Sequence, residues 1–397
     1  MFKILSRSPS SIRHATRRIM QAPHRQLSSS KQNLGFSRNQ STSALMVEDN
    51  EYSLPLVRSG TDQESNEIIN SIKYNSALPS VVYLYDDFGS DLFELITKTE
   101  DYYPTRTEAS ILENNATEMA RFDDETDGDT RNFNHSIIEL GAGSGKKLPP
   151  LLDALAKIPK GATAKCTYIP TDYSSSALEE NVNVYHKGRE NVEPFCGTHN
   201  EAFAKLSVRS GRKTWAYFGN TLGNEDDPVP FLKTLAAHCG PQDRVFLGID
   251  LATNDGKPVE VINRAYNDSE GVTSRFILNS LSVVNRIAGL DFKEDNFKLH
   301  SKYNHKNHAV EMFAECIEPC LVTADNGMEP VRNFKKGDRL FVEKSGKFTD
   351  SKIKSMLRDS GFVQNRNWTD ERGFYSVLEV VPNVPKTATK SCYAWQQ

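Results

Sequence analysis

At 397 residues, with 38% apolar and 25% charged side chains, the chain has material for one large or two medium domains and cannot be wholly disordered. It contains no run of about 18 uncharged apolar residues, which excludes a transmembrane helix. Its net charge of −4 argues against a broad nucleic-acid-binding face. Six cysteines over this length are too few and too scattered for a disulfide scaffold. Cys316 and Cys320 form one close pair, which reads as strand or helix neighbours rather than half a zinc site, because no second pair has ligand spacing.

Residues 1–47 hold eight Lys and Arg, no Asp or Glu, and many serines. This is the composition of an organelle transit peptide, and Ile12–Met20 would place Ile12, Ala15, Ile19 and Met20 on one side of a short helix. Removing the segment takes the net charge from −4 to −12. The expected address is the mitochondrion, with plastid or cytoplasm as alternatives. Met46 offers a second start, and the segment could instead be an N-terminal arm with no address.

From residue 50 onward, strands and helices alternate. The region Tyr83–Arg121 reads as mostly helical, and Asp123–Asn134 as an acidic surface loop. Ser136–Leu140 is an apolar run entering the cluster Gly141-Ala142-Gly143-Ser144-Gly145, with Leu148, Leu151, Leu152 and Leu155 following at helical spacing. A strand ending at Asp172, a helix around Ser174–Tyr185 and strands near Thr214–Phe218 and Arg244–Asp250 continue the pattern of a doubly wound α/β sheet. The block from Asn263 to Lys347 starts helical and becomes strand-like from Ala309 to Phe348.

The glycine cluster has the form of a strand, a tight turn and a helix, where positive φ and a close ligand both call for glycine. It does not fit the dinucleotide pattern, whose third glycine comes one position later, nor the phosphate loop, which closes with Gly-Lys-Ser/Thr. An acidic residue before the turn, Glu139, and a second acid at the end of the next strand, Asp172, suit S-adenosylmethionine, with Asp172 placed to accept from both ribose hydroxyls. The alternative is a glycine turn that only shapes the chain. Two further clusters stand out. The tyrosines and arginine between Tyr83 and Glu108 suit either a binding edge for a small polar molecule or a hairpin with partly buried phenols. Asn224 follows the predicted fourth strand, where open α/β sheets bind ligands, or else it belongs to an ordinary capped loop.

Taken in order, the string Tyr85–Glu108, Glu139-Leu-Gly-x-Gly, Gly223-Asn224, Ala265-Tyr-Asn-Asp268 with Gly271-Val-Thr273, Glu343-x-Ser345-x-Lys347 and Trp368-Thr-Asp370 resemble the histidine-specific Nα-methyltransferases that open ergothioneine biosynthesis. The resemblance spans about residues 75–380 and implies a Rossmann-like class I methyltransferase core of α/β type. It also implies a second, α+β substrate domain built from N-terminal and late segments. The corresponding boundaries are 1–47 for the targeting segment, 48–121 and 261–350 for the substrate domain, 122–260 and 351–381 for the core, and 382–397 for a tail.

The same resemblance assigns Gly141, Gly143, Lys147 and Asp172 to S-adenosylmethionine, the methyl donor. Thr198 is expected at the adenine, within a Gly-Thr form that departs from the Asp-Phe pair of bacterial members. It assigns Tyr102, Asn224 and Tyr266 to the carboxylate and amine of the amino acid, with Tyr85 near the amine. Met312 lines the pocket, and Glu343 with Ser345 recognises the imidazole. Tyr85, Tyr266 or a water would carry the proton away, so no strong base is required. Asn220 stands where small residues are common and could alter the pocket floor. The expected product is the trimethyl betaine of histidine, with methylation of another amino acid, such as a prenylated tryptophan, as the alternative. No fused sulfoxide synthase fits within 397 residues. The expected partner is a small amino-acid substrate, without metal, nucleic acid or membrane, and the expected state of the protein is a monomer.

Overall fold

A computed structural model describes residues 61–122, 134–158, 166–253, 257–324 and 327–383, all within the unit Pro55–Gln397. The expected targeting segment 1–47 and all but the start of the expected tail lie outside the described residues, as does most of the acidic loop expected over 123–134.

In chain order the elements begin with three helices, α1 (Asp62–Asn70), α2 (Asp87–Ile96) and α3 (Tyr103–Met119). Helix α2 starts at Asp86, whose carboxylate accepts the Gly89 N–H at 2.8 Å. A Cβ on Gly89 would lie 1.9 Å from the Leu84 carbonyl oxygen, which is why that position is glycine. The stretch Tyr83–Glu108 is therefore a 3₁₀ turn followed by helices, not a hairpin.

The alternating core follows: β1 (His135–Leu140), α4 (Pro149–Lys157), β2 (Cys166–Asp172), α5 (Ser175–Glu180), β3 (Phe195–Cys196), α6 (His199–Leu206), β4 (Arg212–Tyr217), α7 (Pro228–His238) and β5 (Arg244–Asp250). Next come α8 (Val259–Ala265), α9 (Val272–Ala288), β6 (Phe297–Asn304), β7 (Ala309–Cys316), β8 (Cys320–Ala324), β9 (Glu329–Phe334) and β10 (Arg339–Gly346). The chain returns through α10 (Asp350–Ser360), β11 (Phe362–Thr369) and β12 (Tyr375–Pro382).

Seven strands form one sheet in the order β11-β12-β5-β4-β1-β2-β3. Strands β1 to β5 run parallel, and β12 is antiparallel to both β5 and β11. This is the Rossmann-like class I methyltransferase topology. Every residue of β5 is buried, as a parallel strand covered on both faces requires. The strand order reverses between β1 and β4, so the crevice for a ligand opens beyond their carboxyl ends.

A second core is built on the antiparallel sheet β10-β7-β6. Ile68, Ile72, Leu92 and Ile96 from the N-terminal helices pack there with Phe276, Leu281 and Val284 of α9, against Val310, Ala314 and Leu340 of the sheet. The chain leaves this core at Tyr103, earlier than the boundary expected at 121. Ile111, Leu112, Ala116 and Met119 of α3 pack with Leu151 and Leu155 of α4 and with Val377 of β12, because α3 carries its apolar stripe toward the parallel sheet. Strand pairing in the late block starts at Phe297 rather than Ala309. Strand β6 lies at the sheet edge with Phe297 and Tyr303 as its buried residues, so its apolar alternation is weak.

One irregularity decides what β10 presents. A bulge between Phe341 and Glu343 shifts its register against β7, so that Glu343 pairs with Met312 and Ser345 with Val310. Alternation beyond the bulge puts Glu343, Ser345 and Lys347 on the buried side, all at 5% exposure or less. The two cores meet here through bare backbone. A Cβ on Gly223, in the 3₁₀ turn Thr221–Asn224 after β4, would lie 2.6 Å from the Gly346 carbonyl oxygen. Gly223→Ala is expected to destabilise the fold by about 1–3 kcal/mol through this overpacking, seen as a lower urea midpoint.

Candidate active site

The cofactor side is built by two strand ends. Gly141 and Gly143 turn the chain at the end of β1 with φ of 65° and 52°, and a Cβ on either would meet no atom within 4 Å. Asp172, at the end of β2, accepts the N–H of Gly143 and that of Ser174, both at 2.9 Å. A carboxylate has about four acceptor sites, so two remain for a pair of hydroxyls. The open glycine turn and the spare acceptors of Asp172 fit an adenosyl ligand on this chain's own geometry.

Lys147 lies 3.0 Å from Glu108, whose fully buried carboxylate also accepts the Gly219 N–H at 2.8 Å and the Tyr375 hydroxyl at 2.6 Å. Thr198 caps α6: its hydroxyl accepts the Glu201 N–H and donates to the Glu201 carboxylate, which leaves one lone pair of an exposed hydroxyl. Glu139 is buried beneath the turn and accepts the Tyr168 hydroxyl at 2.5 Å. Burial pushes its carboxyl up to about 7, against the opposing pull of that bond and of Lys147.

The amino-acid side gathers on β10 and the loops facing it. Asn224 donates to Glu343 at 3.1 Å, and the hydroxyls of Tyr266 and Ser345 are 2.9 Å apart. The Tyr102 ring meets the Tyr266 ring edge-on at 5.8 Å. Tyr85 packs edge-on to Phe93 and Phe276 at 5.8 and 5.4 Å. Tyr85 keeps 37% of its area open, yet its hydroxyl is desolvated, as at the wall of a concave site. Burial raises its pKa well above the ordinary range, and Glu343, Tyr102, Tyr266 and Asp172 add to the effect. Tyr85 therefore feels the carboxylates of both halves of the site. The phenols of Tyr102 and Tyr266 are also raised, chiefly by burial. Such phenols keep their protons: they donate hydrogen bonds well and are poor bases.

The structure thus brings Tyr85, Tyr102, Asn224, Tyr266, Met312, Glu343 and Ser345 together, with Gly141, Gly143 and Asp172 across from them. Sequence reasoning gave no role to the groups beneath. Asp250, fully buried at the end of β5, accepts the Tyr103 hydroxyl at 2.8 Å and pairs with Lys257 and with Lys347, the latter at 2.9 Å. Lys347 donates in turn to Tyr266 at 2.7 Å and to Ser345 at 2.9 Å. Burial works to raise the Asp250 carboxyl, but the two lysines outweigh it and hold it low. The position of Lys347 in Glu-x-Ser-x-Lys, in phase with two site residues on one strand face, was the available signal. Among the described residues, no group of His, Cys, Asp and Glu could hold a metal ion. No helix of the described residues is long and apolar enough to cross a membrane. A separate concavity of about 640 Å³, lined by Arg106, Asn114, Arg264 and Arg372 among others, lies beside α3 and the β11–β12 turn, away from Glu343 and the glycine turn.

A parallel sheet with its antiparallel β12, an open glycine turn after β1 and a carboxylate closing β2 define an S-adenosylmethionine-dependent methyltransferase. Residues 64–381 match the family described as histidine-specific methyltransferase, SAM-dependent, and the chain belongs to that family. The histidine N-alpha-methyltransferase of Mycolicibacterium smegmatis is 33% identical over 303 residues, covering 74% of this chain and 87% of its own. Ergothioneine biosynthesis protein 1 of Neurospora crassa is 31% identical over 74% of this chain, which matches 32% of that longer protein. The L-tryptophan methyltransferase of Psilocybe serbica is 26% identical, over 77% of this chain and 88% of its own.

Burial pushes the Glu343 carboxyl up to about 8, with Lys347 opposing. A carboxyl raised in the folded state stabilises it fully below the unfolded value of about 4.3, and that contribution is lost as pH rises toward 8. Glu343→Gln should therefore melt higher than the parent at pH 8, with the difference closing as the pH falls to 5. Thermal melts across that range check it.

Proposed function

We propose that this methyltransferase transfers methyl groups to the α-amine of L-histidine, ending at the trimethyl betaine, the first step of ergothioneine biosynthesis. The observation that carries the reading is Glu343 and Ser345 side by side on one face of β10, bonded to Asn224 and Tyr266. An imidazole presents two nitrogens, and a carboxyl group beside a hydroxyl can satisfy both. A site built to bond them discriminates strongly against rings that leave its polar groups unpaired.

Gly141, Gly143 and Asp172 would hold S-adenosylmethionine, with Lys147 beside them. The cofactor supplies a methyl group already activated as a sulfonium. The protein's task is then alignment and keeping the amine free of its proton. Tyr102 and Tyr266 donate to the substrate carboxylate, and Asn224 turns its Nδ2 to Glu343, which leaves its Oδ1 to accept from the amine. Phenol faces around the amine favour the ammonium that forms, by about 0.5–2 kcal/mol per contact. Because the phenols keep their own protons, the amine's proton leaves through water, or through a tyrosine that takes one proton as it gives up another.

Mass spectrometry of the chain lacking residues 1–47, incubated with S-adenosylmethionine and each amino acid, tests the reading. Three methyl groups on histidine alone are expected. Modification of tryptophan or a prenylated tryptophan instead would reassign the pocket. Glu343→Ala should raise the histidine KM by about tenfold or more, the scale of a lost buried hydrogen bond, and leave that of S-adenosylmethionine nearly unchanged. An equal rise in both would refute the ring-recognition role.

The acid-free, basic composition of residues 1–47 supports mitochondrial delivery. Fused to a fluorescent protein, that segment is expected to carry it into mitochondria, and diffuse cytosolic signal would refute the assignment.

A further inference from the structure

Asn220 follows β4 in the left-handed region, with φ of 57°, and three hydrogen bonds fix which end of its amide faces where. Its Oδ1 accepts the Asp250 N–H at 2.8 Å, so Nδ2 must face the other way. From there it donates to the Gly346 carbonyl at 3.0 Å and to Ser345 Oγ at 3.3 Å. Lys347 donates to the same Ser345 oxygen at 2.9 Å. Its other two N–H groups go to Tyr266 at 2.7 Å and to Asp250 at 2.9 Å.

A hydroxyl oxygen has two lone pairs. Both of those on Ser345 face groups that cannot turn into acceptors: an ammonium and an amide locked by a backbone N–H. Ser345 has one hydrogen left, and across the 2.9 Å contact it donates that hydrogen to Tyr266 until a ligand acceptor takes it over. Tyr266 thus accepts from Lys347 and from Ser345, finds no free lone pair on Ser345 and must direct its own hydrogen elsewhere.

We propose that Asn220 and Lys347 are positioning residues that lock Ser345 and Tyr266 as hydrogen-bond donors toward the amino acid. The inference rests on the histidine reading and adds to it a polarity. The site takes a ring with a lone pair facing Ser345 and an N–H facing Glu343, and a carboxylate facing Tyr266. An indole has an N–H to give but no ring lone pair, so it leaves Ser345 unpaired. Specificity then depends on a residue that need not touch the substrate.

Asn220→Asp tests this. It keeps the acceptor for the Asp250 N–H and tolerates the left-handed backbone, but sets an acceptor against Ser345 and draws its hydrogen inward. The expected result is a rise of about tenfold or more in the histidine KM, the scale of one lost buried hydrogen bond. The KM of S-adenosylmethionine should stay within about twofold. Ser345→Ala should show the same rise. The double variant should be no worse than Ser345→Ala alone, because Asn220 acts through that hydroxyl. Should Asn220→Asp fail to fold, Asn220→Gly takes its place in the cycle, since glycine tolerates the left-handed backbone and removes the donor to Ser345 without adding charge. Additive losses, or a histidine KM that Asn220→Asp leaves unchanged, overturn the inference while the histidine reading stands. A parent chain that methylates no histidine overturns that reading, and this inference with it.

Discussion

Asp250 ends β5, the last strand of the parallel run before the antiparallel β12, with a fully buried carboxylate, and side chains from three segments converge on it. Tyr103 comes from the start of α3, Lys257 from the loop before α8 and Lys347 from the end of β10. A buried charge is tolerated when it is paired and hydrogen-bonded, and removing one member of such a group typically costs about 3–5 kcal/mol. The requirement to satisfy this carboxylate therefore fixes where α3 begins, where the chain runs after β5, and how the second sheet is set against the first.

Two lysines face one carboxylate, so the interior here carries an excess of positive charge. Lys257 spends its donors on Asp250 and on the carbonyls of Leu251 and Phe374, and its ammonium lies over the rings of Tyr103 and Phe374. Burial brings its pKa down to about 8, with Asp250 opposing. Lys347 instead passes its charge toward the site through Tyr266 and Ser345. The hydroxyls on that path are polarised outward, the arrangement that suits an anionic group such as the carboxylate of a free amino acid.

The second core also reaches the cofactor side. Glu94, on α2, accepts the Ser144 hydroxyl at 3.1 Å and pairs with Lys146, so α2 is tied to the glycine turn that follows β1. Tyr85, just before α2, stands between Asp172 and Glu343 electrostatically for the same reason. One helix and one bulged strand from the second core thus close opposite sides of the crevice that the parallel sheet opens.

What the sequence determined by itself was local. The glycine turn, the acid at the end of the next strand and the alternation of Glu343, Ser345 and Lys347 are short-range patterns, legible because strand and turn geometry have fixed periods. The composition of residues 1–47 is legible because it rests on residue counts alone. The tertiary structure alone decided which buried polar groups meet. Tyr103 and Asp250 are 147 positions apart, Asn220 and Ser345 are 125 apart, and Glu108 reaches Gly219 across 111. No periodicity links such pairs, because each depends on how separately formed elements pack together. The donor character of Ser345 belongs to that second kind, since a hydroxyl has no fixed polarity until its neighbours in space fill its lone pairs.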